Sequence, residues 1–152
     1  MSNSRRAVNL PNYFRRYAWV GEQLEENLWR SSFTVDDELE FDLYVMLGEE
    51  LIHFAVSPFV AAPRPECRQR LYEGLLRLNQ QMQLVYFALD EEGDVNLIAT
   101  LVRRGCSYPL FAATMDRLVE YTEGLAADAR RLGSDSHFFS PLIPTLPLTR
   151  DS

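Results

Sequence analysis

The chain has 152 residues, of which 47% are hydrophobic, 12% aromatic and 24% charged, and its net charge is -7 at pH 7. This length and composition are typical of one globular domain that buries enough surface to fold without disulfides. The acidic balance argues against direct nucleic-acid binding, because release of counterions from a phosphate backbone requires a basic surface. The N-terminal residues contain no apolar leader, and no apolar run approaches the length of a bilayer span. We therefore expect a cytoplasmic protein with two free cysteines and no membrane contact.

The first predicted element is a helix over residues 12–29, in which apolar and aromatic side chains recur every three or four positions. Pro11 suits its first turn, where a missing N–H costs nothing. Residues 38–47 then alternate apolar and polar side chains, which predicts a strand with one buried face. The run Leu51–Val60 begins with the same alternation after a short turn, so the two strands form an antiparallel hairpin. A short edge strand over residues 31–37 is expected before them.

Three prolines between residues 58 and 65 are expected to break the strand pattern and bracket a connection. A second helix is predicted over residues 66–82, where leucines and a methionine define one face. A second hairpin follows, with strands over residues 84–89 and 95–102 joined by an acidic turn at residues 90–94.

The last helix is the best defined by its pattern, because seven apolar or small residues keep helical spacing from Phe111 to Leu132. Ser107 is its expected N-cap, Pro109 fits its first turn and Gly133 ends it. The order of elements is then helix, two or three strands, helix, two strands, helix. These elements predict a single domain over residues 1–133, followed by a Pro-rich tail over residues 134–152 in which prolines recur every third residue.

Residues 75–101 resemble the corresponding segment of YbjN-like proteins, in which a helix ends in Leu-x-x-x-Asn or Leu-Asn before a Phe-containing strand, an acidic turn with Gly and a second strand. The matching positions are Leu78, Asn79, Phe87, Asp90, Gly93 and Val95. The resemblance covers residues 12–132. It implies the α+β fold of type III secretion chaperones, a curved antiparallel sheet of about five strands packed against helices in the order α-β-β-(β)-α-β-β-α, and a homodimer. Relatives often carry Arg or Tyr in the second hairpin strand, whereas this chain has Asn96, Ile98 and Thr100.

The chain offers few groups for catalysis or metal binding. Its only histidines and cysteines are His53, His137, Cys67 and Cys106, and their spacing fits no zinc site. An enzyme would need Cys106 beside one histidine; a helix N-terminus could lower the pKa of its thiol, whereas a packed Cys would be inert. The acidic runs at residues 36–42 and 90–94 lack the calcium-loop pattern and indicate solvated surface. We therefore predict no enzyme activity, no metal and no cofactor.

The surface that remains for function is the second face of the sheet, which carries apolar side chains rather than a row of charges. Its predicted partner-binding residues are Tyr44, Met46, His53 and Ala55, with an acidic strip formed by Asp36, Asp37, Glu38, Glu40 and Asp42. The strip would steer a basic segment of a client protein toward this face or toward a sheet edge. The sequence thus predicts a homodimeric, chaperone-like adaptor whose client it does not identify.

Two questions stay open at this point. One alternative function is a small-ligand-binding regulatory domain with a pocket between the last helix and the sheet. The tail could dock on its own domain, exchange onto a second subunit, or offer a Pro-x-x-Pro segment to another protein.

Overall fold

The computed structural model describes residues 8–145 of the chain. Within this range the elements are α1 (Leu10–Tyr17), β1 (Glu22–Glu25), β2 (Leu28–Val35), β3 (Leu39–Leu47), β4 (Leu51–Val60), α2 (Pro65–Asn79), β5 (Tyr86–Leu89), β6 (Val95–Val102) and α3 (Tyr108–Leu132). The α+β class is confirmed, and the order of elements is α-β-β-β-β-α-β-β-α. The sheet has six strands rather than about five.

All neighbouring strands of the sheet are antiparallel, in the order β1-β2-β3-β4-β6-β5. The first four strands are consecutive in the chain. Helix α2 then carries the chain across to β5 at the far edge, and β6 returns between β5 and β4. The sheet is therefore a four-stranded meander extended by one hairpin, which is the hairpin that the acidic turn predicts.

Alternation along each strand places the apolar core on one face of the sheet, which we call the helix face. The Phe111 ring of α3 packs 5.9 Å from that of Phe54 on β4, measured between ring centroids. The Phe14 ring of α1 packs 5.3 Å from that of Trp29 on β2. Helix α2 contributes Leu75, which is 2% exposed. The three helices thus cover one side of the sheet with a single hydrophobic core.

The prediction of one helix over residues 12–29 is wrong beyond Tyr17. Ala18 adopts a left-handed conformation at φ 63°, and its N–H bonds to the carbonyls of the last turn, which ends the helix. Trp19 then folds back so that its ring lies 4.6 Å from that of Phe14. Val20 and Leu24, which continue the helical spacing in the sequence, are 87% and 38% exposed. Val20 lies in the connection after α1 and Leu24 lies in the edge strand β1, so their helical spacing in the sequence does not reflect a helix.

Two smaller corrections concern the strands. The short edge strand expected at residues 31–37 is β2, an eight-residue strand paired on both sides, because β1 takes the edge. The break expected at Pro58 does not end β4, which continues to Val60. The register with β6 shifts between Val56 and Val60, and such an irregularity tolerates a residue without an N–H.

The second hairpin and the last helix follow the sequence prediction closely. Gly93 in the acidic turn has φ +88°, a conformation that glycine adopts without strain. The Ser107 hydroxyl accepts a hydrogen bond from the N–H of Leu110 at 3.3 Å, and Gly133 follows the last residue of α3.

Residues 138–145, which we call the strap, contact both α2 and α3. Ile143 of the strap is 0% exposed. A Cβ atom added to Gly74 of α2 would lie 2.6 Å from the carbonyl oxygen of Pro144. The described part of the tail therefore docks on its own domain, at a place where α2 has no side chain.

Two glycines inside helices provide a matched test of this packing. A Cβ atom added to Gly124 of α3 would meet no atom of the described residues within 4 Å. Gly124→Ala should raise the free energy of unfolding by about 1 kcal/mol, because alanine is the better helix former. Gly74→Ala should lower it by about 1–3 kcal/mol, because the added methyl collides with the strap. Urea denaturation measures both values, and an equal gain in the two variants would contradict the docking of the strap.

Candidate protein-binding surface

The face of the sheet opposite the helices, which we call the open face, is organised into rows by the cross-strand register. One row crosses five strands and consists of Arg30, Tyr44, Ala55, Ile98 and Tyr86. The next row consists of Leu28, Met46, His53 and Thr100. The structure thus brings together the four residues that the sequence selects, with Tyr44 opposite Ala55 and Met46 opposite His53.

Several apolar side chains of the open face are accessible to a partner. Met46 is 44% exposed, Tyr86 is 41% exposed and Val102 is 63% exposed. Leu51, which pairs with Val102 in a third row, is 37% exposed. Leu28, Leu51, Tyr86, Ile98 and Val102 were missed by the sequence prediction. The alternation along Val95–Val102 would have identified two of them, but the register that joins them to β3 is not visible in the sequence.

The acidic strip adjoins these rows along strand β3. Glu40 and Asp42 lie on the open face in line with Tyr44, since alternate residues of a strand share a face. Asp42 accepts a hydrogen bond of 2.6 Å from the Ser32 hydroxyl. Carboxylates and apolar side chains therefore form one continuous surface.

The tip of the β2–β3 hairpin extends the acidic strip. Asp36 and Asp37 form a tight turn with φ 55° and 58°, closed by a hydrogen bond from the N–H of Glu38 to the carbonyl of Val35 at 3.1 Å. Two consecutive residues at positive φ define the type I′ hairpin turn, in which short polar side chains are the best tolerated after glycine. The turn thus projects three carboxylates beyond the end of the sheet.

The positive charge of Arg30 on the open face is paired with a carboxylate of the same chain. The Arg30 guanidinium bonds to the Glu22 carboxylate at 3.1 Å. This bond and a hydrogen bond with Tyr44 raise the pKa of Arg30. Among the described residues, the open face therefore has carboxylates without a salt bridge at one end and a paired arginine at the β1 side.

Both edges of the sheet are poor sites for adding a strand. At the β5 edge, the Asn79 side chain donates to the carbonyl of Phe87 at 3.1 Å and accepts from its N–H at 2.8 Å. One amide thus occupies both outward backbone groups of Phe87. The opposite edge, β1, is four residues long and carries two glutamates, a feature that discourages edge pairing. An extended segment is better accommodated across the open face than at an edge.

The candidate nucleophile is not assembled with a base. Cys106 is 7% exposed within the hydrophobic core, and burial raises the pKa of its thiol, opposite to the activation that a helix N-terminus could give. His53 lies on the open face, across the sheet from that core. His137 is exposed in the segment after α3. Cys106 therefore behaves as a packed thiol.

The carboxylates of Asp90, Glu92 and Asp94 approach within 4.8 Å of one another in the second hairpin turn. Two of them have structural partners. Asp90 accepts hydrogen bonds from the N–H groups of Glu92 at 2.9 Å and Asp94 at 3.1 Å. Asp94 accepts one from the N–H of Ala62 at 2.7 Å. Turn formation therefore explains why these acids cluster.

Two concave regions bear on the small-ligand alternative. An apolar cavity of about 80 Å³ lies between α2 and the β5–β6 hairpin, which is small for a metabolite. A more open groove of about 450 Å³ adjoins Arg130 at the end of α3. The Arg130 guanidinium donates to the carbonyl of Phe59 at 3.2 Å and lies 4.3 Å from the centre of the Phe41 ring, so it is already engaged. Neither region favours a ligand site.

No protein-family model matches the chain, and no curated protein matches it in sequence. Solved structures do match its fold. The complex of HopA1 with the chaperone SchA gives a TM-score of 0.53 at 17% identity, covering 79% of this chain and 98% of the other. The Yersinia pestis type III secretion chaperone SycH, solved with a fragment of YscM2, gives 0.50 at 17% identity, covering 76% and 95%.

A third match is the ExoU–SpcU complex from the type III secretion system of Pseudomonas aeruginosa, with a TM-score of 0.57 at 16% identity, covering 78% of this chain and 96% of the other. At these identities the matches establish the fold alone. The fold is thus similar to that of type III secretion chaperones. Among residues 8–145, no helix has the length and apolar character needed to cross a membrane.

The amide clamp at the β5 edge can be tested directly. Asn79→Ala removes two hydrogen bonds to partly buried backbone groups and should lower the free energy of unfolding by about 1–3 kcal/mol. Gln80→Ala, at the neighbouring exposed position, is the control and should change it by less than about 0.5 kcal/mol. Urea denaturation followed by circular dichroism gives both values. Equal stability of the two variants would mean that Asn79 does not hold the edge.

Proposed function

We propose that this protein is a non-enzymatic, chaperone-like adaptor of the cytoplasm that binds a segment of a partner protein as a homodimer. The observation that carries the proposal is the open face, where accessible apolar rows adjoin an acidic strip while the helices cover the opposite face. The fold supports it, because the SchA and SycH structures are complexes of chaperones with other proteins. We further propose a relationship to YbjN-like proteins, supported by the Leu-Asn and Phe positions that form the Asn79–Phe87 clamp.

The open face favours a client segment with a particular distribution of side chains. Apolar client residues would contact the rows that contain Met46 and Ile98, since burying apolar area supplies most of the affinity. Basic client residues would lie toward Asp36 and Asp42, where charge complementarity sets the direction of the segment. Because the strip is solvent-exposed, its contribution should fall as ionic strength rises.

The edges of the sheet argue for contact across the face rather than for strand addition. A peptide pairing with β5 would have to displace the Asn79 amide from both backbone groups of Phe87. A client that lies across the strands needs no such exchange. Side-chain contacts would then determine which segments bind.

A charge at the centre of the open face should prevent client binding. Ala55 lies in the middle of the five-strand row, and Ala55→Arg should reduce recovery of a bound partner at least tenfold in affinity capture followed by mass spectrometry. Gln69→Arg, on an exposed position of α2, adds the same charge elsewhere and should leave recovery unchanged. A partner retained equally by both variants would place binding on another surface, and no partner recovered by the unmodified protein under gentle lysis would remove the support for an adaptor.

The homodimer has a candidate interface beside β5. Leu76 of α2 and Leu89 of β5 are 64% and 52% exposed, and both line the small apolar cavity together with Tyr72. Two exposed leucines at the mouth of an apolar cavity favour burial against a second copy. We call this region the α2–β5 patch.

Light scattering should therefore give twice the chain mass of 17.6 kDa at micromolar concentration. Leu76→Asp should shift the protein to the monomer mass, because it places a charge in the α2–β5 patch. Val20→Asp is the control, since Val20 is 87% exposed and lies near β1. A monomeric unmodified protein would refute the dimer, and a dimer that survives Leu76→Asp would move the interface elsewhere.

A further inference from the structure

The strap is held to the helices by one buried side chain and a small number of polar contacts. Ile143 is 0% exposed, whereas Phe139 and Leu142, which both precede it in the strap, are 60% and 52% exposed. The side chain of Ile143 occupies space that a Cβ atom on Gly74 would take, at 2.8 Å from its Cγ2. The groove between α2 and α3 therefore fits one aliphatic side chain and leaves its neighbours in solvent.

The backbone of the strap approaches the helix at the next residue. A Cβ on Gly74 would also meet the carbonyl oxygen of Pro144 at 2.6 Å. Proline restricts the residue before it to extended backbone conformations. An aliphatic residue followed by proline is therefore already extended before it binds. The groove thus favours an aliphatic residue followed by proline for two reasons. The aliphatic side chain fits the space at Gly74, and the restricted backbone loses little conformational entropy on binding.

Polar contacts fix the strap at two further points. Nη2 of Arg70 donates to the carbonyls of Phe138 at 2.7 Å and Asp135 at 3.3 Å. The Ser140 hydroxyl donates to the Asp128 carboxylate of α3 at 2.6 Å and accepts from the N–H of Ile143 at 3.0 Å. The helices thus provide a guanidinium for main-chain carbonyls and a carboxylate for a hydroxyl, which are general features of peptide recognition.

The same contacts make release of the strap easier than unfolding of the domain. Ile143 is the one residue between positions 138 and 145 that is buried. Segments with few buried apolar contacts open at the low end of the free-energy range of a protein. In addition, Nη1 of Arg70 is buried without a hydrogen-bond partner among the described residues, so this guanidinium has an N–H group left to donate to another carbonyl.

We propose that the groove between α2 and α3 is a second polypeptide-binding site, which recognises an extended segment of another protein with an aliphatic residue directly before a proline. The strap is the resident ligand of this groove and competes with that segment. The site lies on the helix side of the sheet and does not depend on client binding at the open face. The aliphatic-Pro segment fits better than a charged or purely polar one, because the groove buries an uncharged side chain against a glycine.

A peptide supplied in trans tests this inference. The probe is a fluorescently labelled peptide with the sequence of residues 138–145, and its binding to the full chain is followed by fluorescence anisotropy. Ile143→Asp disables the resident strap and should bind the probe at least tenfold more tightly than the unmodified chain, in which the strap competes. Adding Gly74→Ala to Ile143→Asp should abolish binding, since the methyl fills the groove. A probe with Asp in place of its isoleucine should not bind any variant.

Two results would overturn the proposal. One is a folded Ile143→Asp chain, as judged by circular dichroism, that binds the probe no better than the unmodified chain. The other is binding that Gly74→Ala leaves intact. If Ile143→Asp fails to fold, Ser140→Ala replaces it, because this change loosens the strap by removing the contact with Asp128 without burying a charge. Ala55→Arg should bind the probe like the unmodified chain, which separates failure of this site from failure of the client surface.

Discussion

The packing of all three described helices against one face of a six-stranded sheet is the constraint on which the other features depend. Phe54 and Trp29 point into that layer and are buried by aromatic rings from α3 and α1. Because side chains alternate, their neighbours on the same strands must point the other way, whatever their polarity. Met46 and Ala55 thus stand on the open face as a direct result of the burial of Val45 and Phe54. The open face is therefore a geometric consequence of the core.

A sheet with one open face also needs protection along its edges. An unpaired edge beside accessible apolar rows would allow chains to associate by strand pairing. Asn79 prevents this at β5 by occupying both outward groups of Phe87, and short, glutamate-bearing β1 limits it at the other side. A sheet with one open face can bind other chains in two ways, through side chains on the face or through backbone groups at the edges. Side-chain contacts across the face remain available, and backbone pairing at the edges is restricted.

The sequence predicts those parts of the fold that are encoded by local periodicity. Strand β3 and helix α3 keep one period throughout, and their N-cap, glycine and proline signals agree with it. The prediction for the first helix fails because the spacing of Val20 and Leu24 persists past Tyr17. A left-handed Ala18 ends the helix there, and the nearest glycine, Gly21, comes three residues later. The rows of the open face could not be predicted in full, because register joins residues as distant in sequence as Tyr44 and Ile98. The sequence pattern also singles out Asn79 and Phe87, but it does not show that the Asn79 side chain bonds to the backbone of Phe87.

The strap docks on α2 because residue 74 is a glycine, whose missing side chain leaves a groove. Glycine costs stability inside a helix, so a glycine at position 74 needs a compensating contact, and Ile143 with the Pro144 carbonyl supplies it. Gly124 in α3 has no such contact among the described residues, which distinguishes a glycine that makes room from one that does not. The compensation is local to a segment with one buried residue, so release of the strap, as we propose it, exposes the groove. In our proposal, the groove at Gly74 can therefore exchange the strap for a segment of another protein. The open face, on the other side of the sheet, is not covered by any segment of residues 8–145.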